Sequence, residues 1–112
     1  MIIEKKIREY LKSKLNIPVY LEEPKEKPEK YLLVMKTGSS RRNFIPSAMI
    51  TVRSYATSLS ETIDLNELVK NAMYDAIEFD DIVKVQLNSD YDYTDTNTKR
   101  YRYQAVFDVT HY

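Results

Sequence analysis

The sequence predicts an α+β domain: a mostly antiparallel sheet of about five strands with two helices, in the order α-β-β-β-α-β-β. Three observations predict it. Apolar residues recur at three- and four-residue spacing in two stretches, one near the N-terminus and one beyond residue 58. They alternate with polar residues at period two on both sides of a turn-rich segment between residues 83 and 109. A five-residue run, Tyr31 to Met35, is apolar throughout. With 112 residues, no repeat and no shift in composition, the chain is expected to form one domain over residues 1–112.

Ile3, Ile7, Tyr10, Leu11 and Leu15 line one side of a first helix over residues 3–15, with Lys5, Lys6, Arg8, Glu9 and Lys12 on the other. Asn16 and Pro18 end it, because proline disfavours helix in the residue before it. Val19 to Leu21 is a short strand. Residues 22–30 contain no apolar side chain other than two prolines, and read as a charged, solvated linker. Tyr31 to Met35, apolar on both faces, suits a central strand covered on both sides. Gly38 is expected to open a polar loop ending at Pro46, mobile in the free subunit and ordered on assembly. The next strand, 48–56, shows Ala48, Ile50 and Val52 on one face and Thr51 and Arg53 on the other. Ser58 and Glu61 fit a capping box, and Leu65, Leu68, Val69, Ala72, Met73, Ala76 and Ile77 form the stripe of the second helix. Val83, Val85 and Leu87, then Tyr101, Tyr103, Ala105, Phe107 and Val109, give a long closing hairpin whose turn lies within Asp92 to Thr98.

Composition removes several function classes. There is no cysteine, so disulfides, thiolate catalysis and cysteine-ligated zinc are excluded. The single histidine, His111, cannot supply a multi-histidine metal site and reads as a sheet-end residue. Seventeen basic and seventeen acidic groups cancel, which does not describe a generic polyanion binder. No apolar run is long enough to span a membrane, and the start, Met-Ile-Ile-Glu-Lys-Lys, lacks a signal-peptide apolar region. Asp90, Asp92 and Asp95 mimic the opening of a calcium loop, but the glycine of the sharp turn is missing and Tyr101 stands where the bidentate glutamate belongs. Asp80-Asp81 has no polarising partner in the sequence. No catalytic residue, cofactor site or metal site is therefore expected.

Charge is unevenly spread. Residues 1–15 carry a net +3, residues 31–60 a net +4 with no acid at all, and residues 61–98 a net −8. Either the acidic segment is a solvated outer face, or the molecule is complementary to its own copies and associates head to tail. The expected partner-contacting residues are Ser39, Ser40, Arg41, Arg42, Asn43, Phe44 and Ile45 of the loop, with Lys36 and Arg53. Phe44 and Ile45 belong there because two large apolar side chains at a polar tip are wasted in water, unless they tuck under their own sheet. Glu61, Asp64, Asp75, Asp92 and Asp95 are the acids expected either to line a lumen or to face the next subunit. Ten tyrosines, with Arg100 and Arg102 interleaved in the last strand, superficially suit a stacking platform for single-stranded nucleic acid. Parity instead assigns Tyr101 and Tyr103 to the core face shared with Phe107 and Val109.

The pattern as a whole resembles the tail-terminator (tail-completion) and neck proteins of long-tailed bacteriophages and prophages. The resemblance runs over nearly the full length and is carried by Tyr31-Leu-Leu-Val-Met-Lys-Thr-Gly38, by Ile50-Thr-Val-Arg-Ser-Tyr-Ala-Thr-Ser58 leading into an acidic helix, and by Lys99-Arg-Tyr-Arg-Tyr-Gln-Ala-Val-Phe-Asp108. Ser54 to Ser58 and Arg100 to Tyr103 are its most telling pieces. It implies an α+β virion subunit, made in the host cytoplasm, that forms a ring with its own copies, usually six. That ring stops tail-tube polymerisation and joins the tail-tube protein to the head connector or closure protein. Genome DNA passes through the lumen without sequence-specific binding, and neither a membrane nor a cofactor is involved. The same features also fit a head-closure or connector protein of the neck, a protein-binding adaptor working through the 38–46 loop, or a nucleic-acid module using the basic 31–60 segment.

Overall fold

In the computed structural model, described over residues 2–42, 45–95, 97 and 100–112, two helices and a five-stranded, mostly antiparallel sheet form an α+β fold in the expected element order. Helix α1 (Ile3–Leu15) buries Ile3, Ile7 and Leu11, one turn apart on a single stripe. Asn16 closes it in the left-handed region, at φ 55° and ψ 43°, and its N–H reaches back to the carbonyl of Lys12. Asparagine tolerates that conformation where most side chains do not. Strand β1 (Val19–Tyr20) runs parallel to the start of β2 (Tyr31–Arg42). Strand β3 (Ile45–Ala56) follows antiparallel to β2, from Tyr31 opposite Tyr55 to Arg42 opposite Ile45.

The loop expected over 38–46 is therefore corrected. Residues 38–42 continue β2 and residues 45–46 begin β3, so the connection shrinks to Asn43 and Phe44, which lie outside the described residues. Two features of the sequence were misread. Gly38 has no positive φ, and a Cβ there would meet Met49 Cβ at an ordinary 3.6 Å. It follows a bulge in which Thr37 is the extra residue, between the paired positions Lys36 and Gly38. Pro46 does not break the ladder either, since it stands opposite Arg41 beyond the last β3–β5 pair, Ser47 with Thr110.

Helix α2 (Leu59–Asp75) starts on the expected cap: Ser58 accepts the N–H of Glu61. The reciprocal arm lands one residue earlier, where the Glu61 carboxylate accepts both the N–H and the hydroxyl of Thr57. A short 3-10 turn (Ala76–Glu78) leads into β4 (Ile82–Asp92), which pairs antiparallel with β5 (Tyr101–His111). The sheet order is β1-β2-β3-β5-β4, so the central strand is β3 and the apolar run Tyr31–Met35 sits second from one edge.

Both helices pack on one face of this sheet. Leu32, Val34, Ile50, Val52, Ala105, Phe107 and Val109 point toward them and meet Ile7, Leu11, Leu65, Val69 and Met73 in a continuous apolar core. Among the described residues no helix covers the opposite face. Its buried cluster is small and aromatic, made of Tyr31, Leu33 and Tyr55, with Tyr20 and Met35 partly covering it. Tyr31 to Val34 are thus buried on both faces, as expected, but one cover is tyrosine and a linker carboxylate. Tyr101 and Tyr103 keep the parity of Phe107 and Val109 yet are only half-buried, outside the core cluster.

Candidate functional site

The helix-free face gathers Arg53, Arg100 and Arg102 around a group of tyrosines. Period-two geometry puts Tyr31, Leu33 and Met35 of β2, Thr51, Arg53 and Tyr55 of β3, Arg102 and Gln104 of β5, and Tyr91 of β4 on this side. Cross-strand register brings Tyr31 opposite Tyr55, Leu33 opposite Arg53, Arg53 opposite Gln104, and Tyr55 opposite Arg102. Tyr31 and Tyr55 stack, with centroids 4.4 Å apart and planes 8° from parallel. Tyr20 meets Tyr31 edge-on at 5.8 Å.

The linker closes over that stack. Glu23 Oε1 accepts from the Tyr55 hydroxyl at 2.6 Å and Glu23 Oε2 from the Tyr31 hydroxyl at 3.1 Å, while Lys27 Nζ donates to the same carboxylate at 2.9 Å. Residues 22–30 are mostly exposed, as expected of a charged linker, but Glu23 anchors them. Burial works to raise the Glu23 pKa; the bonds from Tyr55, Lys27 and Tyr31 outweigh it and hold the group below the usual carboxylate value. Burial pushes the Tyr31 phenol up to about 12, against the pull of the Arg100 guanidinium, whose Nη2 donates to the Tyr31 oxygen at 2.5 Å. Tyr55 is raised by burial and then by Glu23.

Three guanidiniums lie on or beside these rings. Arg100 sits 5.5 Å from the Tyr31 centroid and 5.2 Å from that of Tyr55. Arg53 and Arg102 flank Tyr93 at 4.8 and 4.5 Å. Arg53 Nε donates to Gln104 Oε1 at 2.7 Å, Gln104 Nε2 donates to the Tyr91 hydroxyl at 2.6 Å, and Arg102 Nε donates to the Tyr93 carbonyl. Among the described residues, none of the three arginines has a carboxylate within 4.0 Å. The face holds flat, oriented cations in aromatic contact, and the carboxylate of Glu23 is tied to the same tyrosine pair as Arg100. Such forks bind carboxylates and planar polar surfaces.

The expected contact residues do not form one patch. Arg53 is in the cluster. Lys36 lies on the helix side, 3.9 Å from Glu4 of α1. Ser39, Ser40 and Arg41 are exposed along the β2–β3 arm and Ile45 is half-buried there; Arg42 is placed in the ladder opposite Ile45. Asn43 and Phe44 fall outside the described residues.

The five acids are likewise dispersed. Glu61 and Asp64 sit in the first two turns of α2, and Asp75 ends that helix, ~21 Å along the axis from Glu61. Glu61 is held by Thr57, Asp92 accepts from the N–H and hydroxyl of Thr94, and Asp75 lies 3.6 Å from Lys14. Asp95 pairs through its backbone with Arg100 and accepts the Asn97 N–H. The segment's charge is a set of local caps and ion pairs more than a single field. Asp90, part of the calcium-like spacing, takes Asn66 Nδ2 and Lys70 Nζ, both at 3.0 Å. Among the described residues no group of three or more acidic or histidine side chains converges on a metal-sized site.

Glu23 is the residue that sequence reasoning missed. Nothing distinguishes it from Glu22 or Glu26 in a charged linker, whereas the parity of Arg53, Tyr55, Arg102 and Gln104 was readable. No model of a known protein family matches the chain, and no curated protein matches it.

Proposed function

We propose that the chain is a structural virion subunit of the tail-terminator type. It forms a ring with its own copies at the head–tail junction of a long-tailed phage or prophage, ends tail-tube polymerisation and joins the tube to the head connector. The helix-free face is the surface that docks the tube protein, and the lumen lets DNA pass without gripping it. The reading assigns no catalysis, metal or cofactor.

One observation carries it: Arg53, Arg100 and Arg102 are laid on tyrosines, without carboxylate partners among the described residues, on an open sheet face. Tyrosine and arginine are enriched at protein contact surfaces, tyrosine as a large amphipathic ring of low entropy cost and arginine as a multidentate planar cation. A single-strand platform needs ring faces free for bases. Tyr31 and Tyr55 instead stack on each other, 0% and 1% exposed, with their hydroxyls tied to Glu23, so the nucleic-acid reading loses its central pair.

The experiment is native mass measurement and electron microscopy of the purified protein, alone and with assembled tail tubes. The wild type should form rings and cap tube ends. Arg53→Glu combined with Arg102→Glu should fold, as judged by circular dichroism, and leave the ends uncapped. A wild type that neither assembles nor binds tubes overturns the reading. A charge-reversed variant that caps normally removes the helix-free face from it.

A further inference from the structure

The sheet ends on two strand edges of the same chain that are open and geometrically matched. On one side, β1 pairs with only Leu32 and Leu33, so β2 from Val34 to Arg42 has no outer partner strand. On the other side, β4 is terminal over all its eleven residues. Among the described residues no hydrogen bond reaches the outer backbone of β2 from Val34 to Arg42, or of β4 beyond Ile82, whose N–H donates to the Phe79 carbonyl.

Alternation shows which amides face outward. The Leu32 N–H donates outward to the Pro18 carbonyl, and the bulge at Thr37 resets parity, so the outward amides beyond it belong to Ser39 and Arg41. The Tyr93 N–H donates inward to Arg102, and counting back through the bulge at Asn88 leaves the amides of Leu87 and Val85 outward. The ladder places Ser39 level with Ala48, Val109 and Val85 in turn. Ser39 and Val85 are therefore outward-facing residues at the same height, both on the helix-covered side. Strands β2 and β4 run antiparallel within the sheet, because β2, β3, β5 and β4 are each antiparallel to the next.

We infer that the β2 edge of one copy takes the β4 edge of a second copy as its next antiparallel strand, continuing the sheet across the subunit boundary with Ser39 opposite Val85. The occupant is another copy of this chain because the charges are complementary as well as the geometry. The β2 edge carries Lys36, Arg41 and Arg42 and no acid. Ser39 opposite Val85 sets Arg41 opposite Val83, and Asp80 and Asp81 immediately precede the start of β4, beyond that end of the pairing. Asp81 is held by Lys6, whereas Asp80 is exposed and makes no ion pair among the described residues. A copy displaced along the sheet brings Arg41 toward Asp80. The contact is heterologous, one edge against the other, so it closes to a ring when the rotation per subunit allows. This inference rests on the ring reading above and specifies how the ring is joined.

The test compares wild type with Ser39→Pro by native mass measurement and sedimentation. Proline removes the outward donor at an exposed position and no β2–β3 bond, so the hairpin should persist while assembly weakens about tenfold or more. Arg41→Glu should weaken assembly too, and the charge-swapped pair Arg41→Glu with Asp80→Lys should restore it. Amide exchange at Ser39 and Val85 should slow on assembly in the wild type, which decides the matter even if the proline variant does not fold. A wild type that stays monomeric at every concentration, alone and with tail tubes, overturns the ring reading, and this inference with it. A wild type that assembles, with Ser39→Pro assembling equally well or with exchange at Ser39 and Val85 unchanged, overturns the edge pairing alone.

Discussion

The two faces of the sheet are built by different chemistry from the same strands. On the helix side, Val34, Val52, Ala105 and Phe107 meet α1 and α2 in a largely aliphatic core, where shape and volume set the energy. On the other side, Tyr31 and Tyr55 are equally buried, but each keeps a hydroxyl that must be satisfied, and Glu23, Arg100 and the neighbouring arginines satisfy it. The packed core of the first face holds no charged side chain, and its charges lie at the margin as the pairs Lys36–Glu4 and Lys70–Asp90. The second carries charges in its buried cluster and has partners for them. The sheet is thus packed by helices on one side and carries oriented polar and cationic groups on the other.

The sharpest way to break this comparison is to place one carboxylate on each face at adjacent positions of β2. Val34→Asp puts the charge into the aliphatic core opposite Val52, with no partner; it should cost more than about 3 kcal/mol and abolish the cooperative melting transition. Leu33→Asp puts it directly across from Arg53, so it should keep a cooperative transition at a lowered melting temperature. Equal outcomes for the two variants would show that the faces do not differ in this way.

A milder probe removes the only acid of the tyrosine cluster. Glu23→Gln keeps the shape and loses the charge, and should cost about 1 kcal/mol at neutral pH, discounted for its partial exposure. The sign with pH follows from its lowered pKa. The contribution is fully present above the ordinary value of 4.5 and is lost as pH falls through the lower folded value, because protonated glutamate is then little different from glutamine. The gap in melting temperature between wild type and Glu23→Gln should therefore close below about pH 4.5. A gap that stays constant down to pH 2 would mean that Glu23 acts by packing alone.

The same contrast explains what was legible beforehand. Helix-side residues announced themselves, because apolar periodicity is the signal that core packing imposes; α1 and α2 were read from it almost to the residue. The β2–β3 arm was not, since Lys36 to Arg42 is polar on both sides and its pairing is held by backbone bonds that any residue supplies. Gly38 and Pro46 looked like punctuation, yet one follows a bulge and the other sits where no ladder donor is needed. On the helix-free face, the position of Arg53 was readable from the parity of its strand. Glu23 was not, because an anchor in a linker is defined by where the chain returns in space.

The smallest expected effect separates charge from shape on the helix-free face, and also tests the docking role proposed for it. Arg53→Lys keeps the cation but gives up the planar group that donates to Gln104 and lies over Tyr93. On stability the change should be under about 1 kcal/mol, since a partly exposed cation–π contact is worth about that much, and a lysine ammonium retains part of it. Gln104, 8% exposed, also loses a donor to its side-chain oxygen, so the melting temperature should fall slightly rather than stay fixed. On tube capping the same substitution should cost more than it does on folding, because a fork that is already oriented loses less entropy on contact than a flexible ammonium. Thermal melting read beside capping measures both. A variant that melts several degrees lower but caps normally would make Arg53 a strut of the sheet, and would leave Arg100 and Arg102 as the docking cations.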